Sequence, residues 1–596
     1  MPVVAISVQR LNELLRKPFE MEVLVQALEQ LGCDVEDTAE QALYNCPTCS
    51  TPNEKLSHEE APRRCDYCGY ESEEAFEKFA TDKVIRLDLL ADRPDLFDVG
   101  GLARALKGYL GLEKGLSAYR VAEGQITIEV DPMMKREGTY RPFIECAVVA
   151  MPPLDQTSLR EIMRLQENLH WGIGRDRKLA SIGVYDLDTL KPPIRYTAVD
   201  PKTFTFHPLG KPGVPMSGNQ ILEEHPKGIA YAHLMQPYSR YPILMDSRDL
   251  VLAMPPIINS DETKCRIGTE RLFVDVTGTE KDPVKNSLNT LVSALIELGG
   301  QVETCTIAHP KESMRTPDLD PRRILVHRDK ANRWLGLDLS GKELTDCLLK
   351  MRLDVQKKQD AFQVTYPVFR TDIRHEVDVY EDLAIGYGYD NIKPQLVTTL
   401  TISRQRPEEQ VSQTVREVML GLGFSEIMSL QLQSLERHFD KFLDQPGELH
   451  VVVGNPKTTE QKILRTHLKT GIMESFFKNR RKQVPQKVFE IGNVIHTDPE
   501  AETGTAEYRH LAFAVIGPET GYAEGRMFLD SVLHEMGWAG LYQASELPSF
   551  SQGRCATIKG EEGLWGILGE FHPQVLNNFG LAYPVTYCEL RLRKVI

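Results

Sequence analysis

Apolar positions near the start of the chain recur at helical spacing, and the period then changes several times. The pattern predicts helices over residues 8–16 and 20–31, with Gly32 ending the second. Runs typical of strands follow at residues 83–88, 125–130, 144–149 and 272–276. Helical and strand patterns therefore mix without a repeat, which favours an α+β architecture.

The pattern is most regular in two later stretches. A helix is predicted over residues 158–170, with Thr157 or Ser158 as N-cap and Glu161 placed for a capping box. Ser340 is the expected N-cap of a helix over residues 341–352. Around it the pattern predicts a strand at 324–327, a helix near Ala331 and a strand at 362–364. This order is similar to helix-turn-helix modules, which is weak support for nucleic-acid binding.

Four acids stand in residues 367–394, which read PVFRTDIRHEVDVYEDLAIGYGYDNIKP: Asp372, Asp378, Glu381 and Asp382. If residues 378–387 form a helix, the last three acids share one face at i, i+3 and i+4. Mg²⁺ binds such oxygen ligands, usually one or two carboxylates plus waters. The alternative, which spacing alone favours, is a set of solvated acids that complement the helix dipole.

Composition narrows the class of protein. The chain has 596 residues, of which 41% are hydrophobic and 26% charged, as in ordinary globular proteins of about four domains. No apolar run approaches the roughly 18 residues of a membrane span, and the N-terminus does not read as a secretory signal. Eleven cysteines predict no disulfide framework, so we expect a cytoplasmic protein. A net charge of −15 means that any RNA contact is local or supplied by a partner.

A polar, cysteine-rich stretch at residues 44–72 predicts a zinc site. Its ligands are Cys46, Cys49, Cys65 and Cys68, two C-x2-C pairs separated by fifteen residues. His58 lies between the pairs as a surplus candidate, and Gly69 suits the turn after the second pair. The first interpretation is a structural clip that lets this stretch fold without its own core. The alternative is a ribbon that contacts RNA.

The acidic segment closely resembles one in the beta subunits of phenylalanyl-tRNA synthetases, in their archaeal and eukaryotic form. The resemblance extends along nearly the whole chain, although the cysteine insert is not a general feature of that family. It implies that Asp372, Asp378, Glu381 and Asp382 bind a Mg²⁺ shared with an alpha subunit. It also implies an (αβ)2 heterotetramer that attaches Phe to tRNA(Phe) with ATP.

Three motifs resemble the family's editing module, which hydrolyses mischarged Tyr-tRNA(Phe). They are HWGIGRDRKLASIGVYDLDT from residue 170, MPPIINS from residue 254 and FVDVTGT from residue 273. The resemblance implies an editing pocket of Leu244, Asp275 and Thr277, with Ala253 where the family has Ser. Asp275 is expected to accept a hydrogen bond from the Tyr hydroxyl. The alternative for Asp275 and Thr277 is a capped turn after a strand.

The C-terminal third resembles the family's catalytic-like module, which has the antiparallel sheet of class II synthetases. The motifs are GFSEI from residue 423, NPK from 455, RTHL from 465, VFEIG from 488 and GILGEFHP from 566. A working class II site has an Arg that grips ATP phosphates, and the stretch with Gly566, Gly569, Glu570 and His572 has none. We therefore expect no aminoacylation site on this chain. We interpret the basic run at residues 478–482 as a solvated helix face. The alternative is that it contacts tRNA phosphates.

Together these patterns predict a multidomain α+β chain. The expected domains are residues 1–115 with the zinc insert at 44–72, an editing module at 116–316, a helix-turn-helix-like module at 317–395 and a class II catalytic-like module at 396–596. The predicted function is that of the beta subunit of phenylalanine–tRNA ligase. The alternatives are a free-standing tRNA-editing hydrolase and a non-enzymatic RNA-binding scaffold.

Overall fold

A computed structural model describes residues 3–48, 51–88, 92–135, 140–447, 449–560 and 565–595. The chain divides into two compact units, residues 1–395 and 396–596. Both units combine helices with sheets that are largely antiparallel, which confirms the predicted α+β multidomain class.

The N-terminal part of the first unit is a four-stranded sheet with two helices. The strands lie in the order Val3–Ser7, Lys78–Asp88, Asp34–Asn45 and Pro52–Leu56. Helices Val8–Leu15 and Met21–Gln30 match the predicted helices to within a residue. Gly32 has a φ of 87°, a left-handed conformation that suits the end of the second helix, as predicted.

An eleven-stranded sheet follows, and strand Arg271–Gly278 lies inside it between Phe143–Ala150 and Ala180–Asp186. Helix Lys281–Glu297 packs against these three strands. The other strands are Val121–Ala122, Thr127–Val130, Ile194–Val199, Tyr241–Met245, Val251–Met254, Ile258–Asn259, Gln301–Ala308 and Ser313–Thr316, and the pair Thr205–Phe206 and Met216–Ser217 forms a separate small sheet. Helices Val99–Tyr109, Gly218–Glu224 and Pro226–Tyr231 complete this region.

The N-cap of helix Gln156–Trp171 differs from the predicted one. Asp155, not Thr157 or Ser158, is the N-cap, and its carboxylate accepts the Ser158 N–H at 2.7 Å. Aspartate caps as well as Ser or Thr, so the helix begins two residues earlier than predicted. Glu161 lies in the second turn and accepts from Arg10 Nε at 3.3 Å instead of closing a capping box.

The last part of the first unit has three strands and three helices. The strands lie in the order Arg322–Val326, Ala361–Tyr366 and Asp354–Lys358, and the helices are Arg328–Leu335, Gly341–Lys350 and Glu376–Tyr387. Ser340 caps the second helix in a complete capping box with Glu343, as predicted for the cap. The acidic helix begins two residues before the predicted start, at Glu376.

The second unit is built on a seven-stranded sheet. Its order is Ser425–Glu426, Gln486–Thr497, Thr505–Ile516, Val585–Val595, Trp565–Phe571, Phe550–Gly560 and Gly540–Ala544. Every pairing except the first is antiparallel. The pair Leu432–Gln433 and Ile463–Leu464 lies apart, and the helices are Pro407–Gly421, Leu435–His438, Lys469–Lys478, Tyr522–Glu535 and Pro573–Asn578.

A membrane-spanning helix is not found in the part of the chain that the structure describes, because none of its helices is both long and apolar enough.

Candidate functional site

Asp275 is a buried acid in the middle of strand Arg271–Gly278, the second strand from one edge of the eleven-stranded sheet. It pairs with Cys146 on one side and with Gly183 on the other, and its side chain is 1% exposed. The Tyr185 hydroxyl donates a hydrogen bond to Asp275 Oδ1 at 2.6 Å. A methyl group at Gly183 would overlap both of those oxygens, so the absence of a side chain there leaves room for this hydrogen bond.

The setting of Asp275 changes its acidity. Burial raises the pKa of the Asp275 carboxyl to about 7, although the Tyr185 hydrogen bond and the Arg141 charge act in the opposite direction. Removing a carboxylate from water disfavours its charged form, which is the reason for this sign. Asp275 therefore changes charge near neutral pH.

Of the other three predicted pocket residues, Ala253 lines the same cavity as Asp275, whereas Thr277 and Leu244 are not among the residues that line it. Thr277 follows on the same face of the strand, and its Oγ1 accepts from Arg141 Nε at 3.3 Å. Leu244 pairs with Ala253 across adjacent strands, and both side chains are buried in one apolar cluster. Asp275 and Thr277 lie within an eight-residue strand, so the alternative of a capped turn is wrong.

A cavity of about 80 Å³ adjoins Asp275 and Ala253. Charged or titratable side chains from outside the predicted set also line it, among them Glu167, His170, Arg177 and Lys227. Arg177 forms an ion pair with Glu167 at 2.6 Å. His170 and Arg177 belong to the HWGIGRDR motif, which was the available signal in the sequence. Glu167 and Lys227 stand in no recognised motif, so only the fold places them here.

His170 is held as a neutral ring. Its Nε2 accepts the Ile182 N–H at 2.8 Å, so the ring proton lies on Nδ1, which faces Glu167 Oε2 at 3.6 Å. Burial and, to a smaller extent, the nearby charge of Arg177 lower the pKa of His170. The ring thus presents an N–H donor beside an ionised carboxylate.

Three cysteines of the insert come together as predicted. The sulfur atoms of Cys46, Cys65 and Cys68 all lie within 4.8 Å of one another, and the three residues are buried. The Sγ atoms of Cys46 and Cys68 are 3.8 Å apart. This is about the distance between two thiolate sulfurs that each lie 2.3 Å from a tetrahedral Zn²⁺. Cys49 lies outside the described residues. The three described thiols therefore fit a zinc site, and His58 is exposed and not among them.

The turn of the second cysteine pair also agrees with the prediction. Gly69 has a φ of 76°, the left-handed conformation for which glycine was expected. Asn53 Nδ2 approaches Cys65 Sγ at 3.6 Å, which is a further polar contact to the thiol cluster.

The four acids of the segment at residues 367–394 line one cleft of about 1110 Å³, but they do not form a cluster. Asp372 and Asp382 both accept from Arg370, whose Nη2 lies 2.6 Å and 2.9 Å from them. Asp378 accepts two backbone N–H groups at the start of its helix, while Glu381 is exposed. Among the described residues only the cysteines group closely enough for a metal ion, so these acids do not make a Mg²⁺ shell without further ligands.

Arg370 is a cation of this cleft that binds two of the four acids. Its guanidinium is buried, which alone would lower its pKa, but the carboxylates of Asp382 and Asp372 raise the pKa well above its usual value. Asp382 is 1% exposed, and its carboxylate forms an ion pair with the buried Arg370. The solvated-acid alternative is therefore wrong for Asp382.

In the second unit, the candidate residues Glu570 and His572 both make hydrogen bonds within the fold. Glu570 accepts from Arg554 at 2.8 Å and from the Tyr522 N–H at 2.6 Å. His572 is the N-cap of helix Pro573–Asn578 and accepts the Gln574 N–H at 3.1 Å. These contacts within the unit explain both residues without an ATP phosphate.

Two domain families match the chain. Residues 324–389 match the tRNA synthetase B5 domain, and residues 392–592 match the phenylalanyl tRNA synthetase beta chain CLM domain. Together with the sheets described above, these matches define a subunit of an aminoacyl-tRNA synthetase.

Curated relatives and a solved structure specify which synthetase subunit this is. The chain is 38% identical over 517 residues to the phenylalanine–tRNA ligase beta subunit of Methanosarcina barkeri, covering 86% of this chain and 93% of the relative. The Archaeoglobus fulgidus subunit is 37% identical over 513 residues, covering 86% and 91%. An N-terminal fragment of the Pyrococcus horikoshii phenylalanyl-tRNA synthetase beta subunit superposes with a TM-score of 0.55 at 32% identity, covering 65% of this chain and 99% of the fragment. The chain belongs to the phenylalanine–tRNA ligase beta-subunit family, a family of ligases, which confirms the resemblance.

Proposed function

We propose that this chain, with an alpha subunit, attaches Phe to tRNA(Phe) using ATP, and that it hydrolyses Tyr-tRNA(Phe) at the Asp275 cavity. The observation that carries the editing proposal is the buried Asp275 carboxyl beside a cavity, already hydrogen-bonded to one phenol. Tyr185 occupies Oδ1, and a carboxyl has a second oxygen. That second oxygen is the acceptor we assign to the hydroxyl of the Tyr on tRNA.

Selecting Tyr by its hydroxyl explains why a second site is needed. A pocket shaped for a Phe ring rejects an added hydroxyl poorly, whereas a site built to bind that hydroxyl discriminates strongly. The sequence shows neither a G-x-S-x-G nor an H-E-x-x-H motif, and we assign hydrolysis to a positioned water. A cavity of about 80 Å³ has room for such a water.

The surface of the second unit supports a partner subunit. Leu396, Leu400, Ile402 and Met428 are each more than nine-tenths exposed. The first three fall within seven residues of one chain segment, and exposed apolar side chains that are close together mark interaction surfaces more often than free surface. We assign this surface to the alpha subunit, which would also hold the aminoacylation site.

We propose that the Mg²⁺ is shared between this chain and the alpha subunit. Arg370 neutralises two of the four acids, so this chain supplies only part of a coordination shell. The remaining ligands would come from the alpha subunit and water. Binding of tRNA(Phe), the (αβ)2 stoichiometry and a cytoplasmic location stay predictions.

Co-expression with the alpha subunit tests the proposal. We expect the two chains to co-purify as a heterotetramer that charges tRNA(Phe) with Phe and deacylates Tyr-tRNA(Phe) faster than Phe-tRNA(Phe). Mass photometry gives the assembly, and loss of labelled amino acid from tRNA gives the deacylation. A monomer that ignores the alpha subunit but deacylates would favour the free-standing hydrolase; one that only binds RNA would favour the scaffold.

Zinc content should depend on the insert. We expect purified chain to carry one Zn²⁺, and Cys46→Ser or Cys65→Ser to lose it, because each removes one of the clustered thiolates. Metal analysis by mass spectrometry measures the zinc. Cys347→Ser is the matched control, since that cysteine is buried elsewhere in the same unit. Wild-type protein without zinc would contradict the assignment.

The Tyr preference should increase with pH. Asp275 is protonated below about pH 7 and ionised above it, because burial raises its pKa to about 7. An ionised acceptor binds a hydroxyl more strongly, so the ratio of Tyr-tRNA(Phe) to Phe-tRNA(Phe) hydrolysis should rise about three- to tenfold from pH 6 to pH 8. Taking the ratio cancels the general effect of hydroxide on both esters. Asp275→Asn should show a flat ratio, and a flat wild-type ratio would refute the role of the charge.

A further inference from the structure

We propose that the cysteine insert is a working part of the editing site: Tyr67, held between two of the clustered thiols, forms one wall of the Asp275 cavity and binds the ring of the substrate. This inference rests on the proposed editing function and extends it to a segment that was read from the sequence as a structural clip.

Polar contacts attach the insert to the editing module. Lys264 Nζ donates to the Thr48 carbonyl at 3.0 Å and to Asp261 at 2.8 Å, which joins the first cysteine turn to the loop before Cys265. Cys265 itself lines the cavity. The insert is therefore attached at the rim of the site.

Ion pairs hold the strand that follows the first cysteine pair. Glu54 pairs with Arg160 at 3.5 Å and also with Arg164, both on helix Gln156–Trp171. The same helix contributes Glu167 and His170 to the cavity. One helix thus supports the insert at one end and the cavity at the other.

The second cysteine turn packs closely on the editing module. A methyl group at Gly210 would come within 2.6 Å of the Cys68 carbonyl oxygen, and one at Gly69 within 3.2 Å of Pro226 Cβ. Leu209 packs against the cluster that contains the three cysteines. Glycine has no side chain, so Gly210 of the editing module and Gly69 of the insert allow this close approach. The two glycines therefore favour the observed position of the second cysteine turn.

Two residues of the insert reach the cavity from this docked position. Thr51 and Tyr67 line it together with Asp275 and Ala253. Tyr67 lies between Cys65 and Cys68, so a metal that joins those thiols also fixes the backbone on both sides of its ring. Zn²⁺, when bound, would supply this cross-link and no chemistry at the ester.

An aromatic wall suits an aromatic substrate. The Tyr67 ring offers a face or an edge to the ring of a tyrosyl group whose hydroxyl is read by Asp275. A favourable ring pair changes binding by about three- to tenfold beyond the area that it buries. Tyr67 is therefore assigned as a specificity-determining residue that acts on KM more than on kcat.

The test compares Tyr67→Ala, Tyr67→Phe and Arg63→Ala in the complete complex with the alpha subunit. We expect Tyr67→Ala to raise KM for Tyr-tRNA(Phe) hydrolysis about three- to tenfold, while Tyr67→Phe, which keeps the ring, recovers the wild-type KM. Arg63 is on the insert but exposed, so Arg63→Ala is the control and should leave KM unchanged. Zinc content is measured for each variant and should equal that of wild type.

A second measurement does not use activity. If the insert covers the cavity, alkylation of Cys265 by iodoacetamide should be slow in the complex and should accelerate at least tenfold after chelation of zinc. Peptide mass spectrometry reads the modification, and buried Cys588 in the second unit is the internal control.

The outcomes separate the two proposals. A complex that never deacylates Tyr-tRNA(Phe) overturns the proposed editing function and this inference with it. Active wild-type complex with unchanged KM in zinc-loaded Tyr67→Ala overturns only the role of Tyr67. Cys265 alkylation that is equally fast before and after chelation overturns the insert as a wall of the cavity.

Discussion

Replacing Arg370 with methionine is expected to cost the first unit about 3–5 kcal/mol of its unfolding free energy. Arg370 lies 2.9 Å from Asp382, and both side chains are almost fully buried. Removing the guanidinium leaves the buried Asp382 carboxylate without its ion-pair partner, and the Asp372 carboxylate loses its partner as well. Hydrogen exchange of the amides in helix Glu376–Tyr387 measures the resulting loss of opening free energy.

Arg374→Met is the matched control for this experiment. Arg374 is an exposed arginine of the same cleft, so its loss should change the opening free energy by less than about 0.5 kcal/mol. Adding Asp382→Leu to Arg370→Met should recover much of the stability, because an apolar pair replaces a buried charge. If Arg370→Met and Arg374→Met behave alike, the buried ion pair does not stabilise this helix.

Asp275→Ala should lower kcat/KM for Tyr-tRNA(Phe) hydrolysis by about 10- to 100-fold and lead to accumulation of Tyr-tRNA(Phe). A hydrogen bond to a charged acceptor contributes about 1.5–3 kcal/mol, which corresponds to this range. Hydrolysis of Phe-tRNA(Phe) and charging with Phe should change little, because Phe has no hydroxyl for Asp275 to bind. Deacylation assays on both esters, with the complete complex, measure the effect.

The control for Asp275 is Asp249→Ala, since Asp249 is a largely exposed acid of the same module. Asp275→Asn adds a test of charge, because an amide keeps the size of the side chain and its hydrogen-bonding capacity. Equal Tyr selectivity in wild type and Asp275→Ala would refute the editing assignment. Loss of selectivity in Asp249→Ala would point to a general effect on the fold.

Local pattern was sufficient for several elements of the fold. Apolar periodicity predicted the first two helices to within a residue, and Ser340 was recognised as a cap from its position before a helical run. Such features depend on neighbours a few positions apart, which the sequence displays directly. The cap of helix Gln156–Trp171 was assigned wrongly because Asp155, Thr157 and Ser158 are all good capping residues in a row.

Spacing and motif were sufficient for the chemical candidates. The paired C-x2-C motifs predicted a thiol cluster, and three of its members are adjacent in the fold. The motifs around residues 170, 254 and 273 led to Asp275 and to the family. Side chains of the right type at the right interval carry this information, because ligand and motif geometry are largely local.

The tertiary structure alone showed what surrounds each candidate. Tyr185 bonds to Asp275 from 90 positions away, and Lys264 joins the insert from 216 positions away. Arg370 was visible beside the acids, but only burial turned it from one more charge into the partner of Asp382. Burial and long-range pairing follow from how the sheets assemble, and no local pattern encodes them. The sequence thus named the acids and thiols of this protein, and the fold decided which are neutralised, which titrate and which share a cavity.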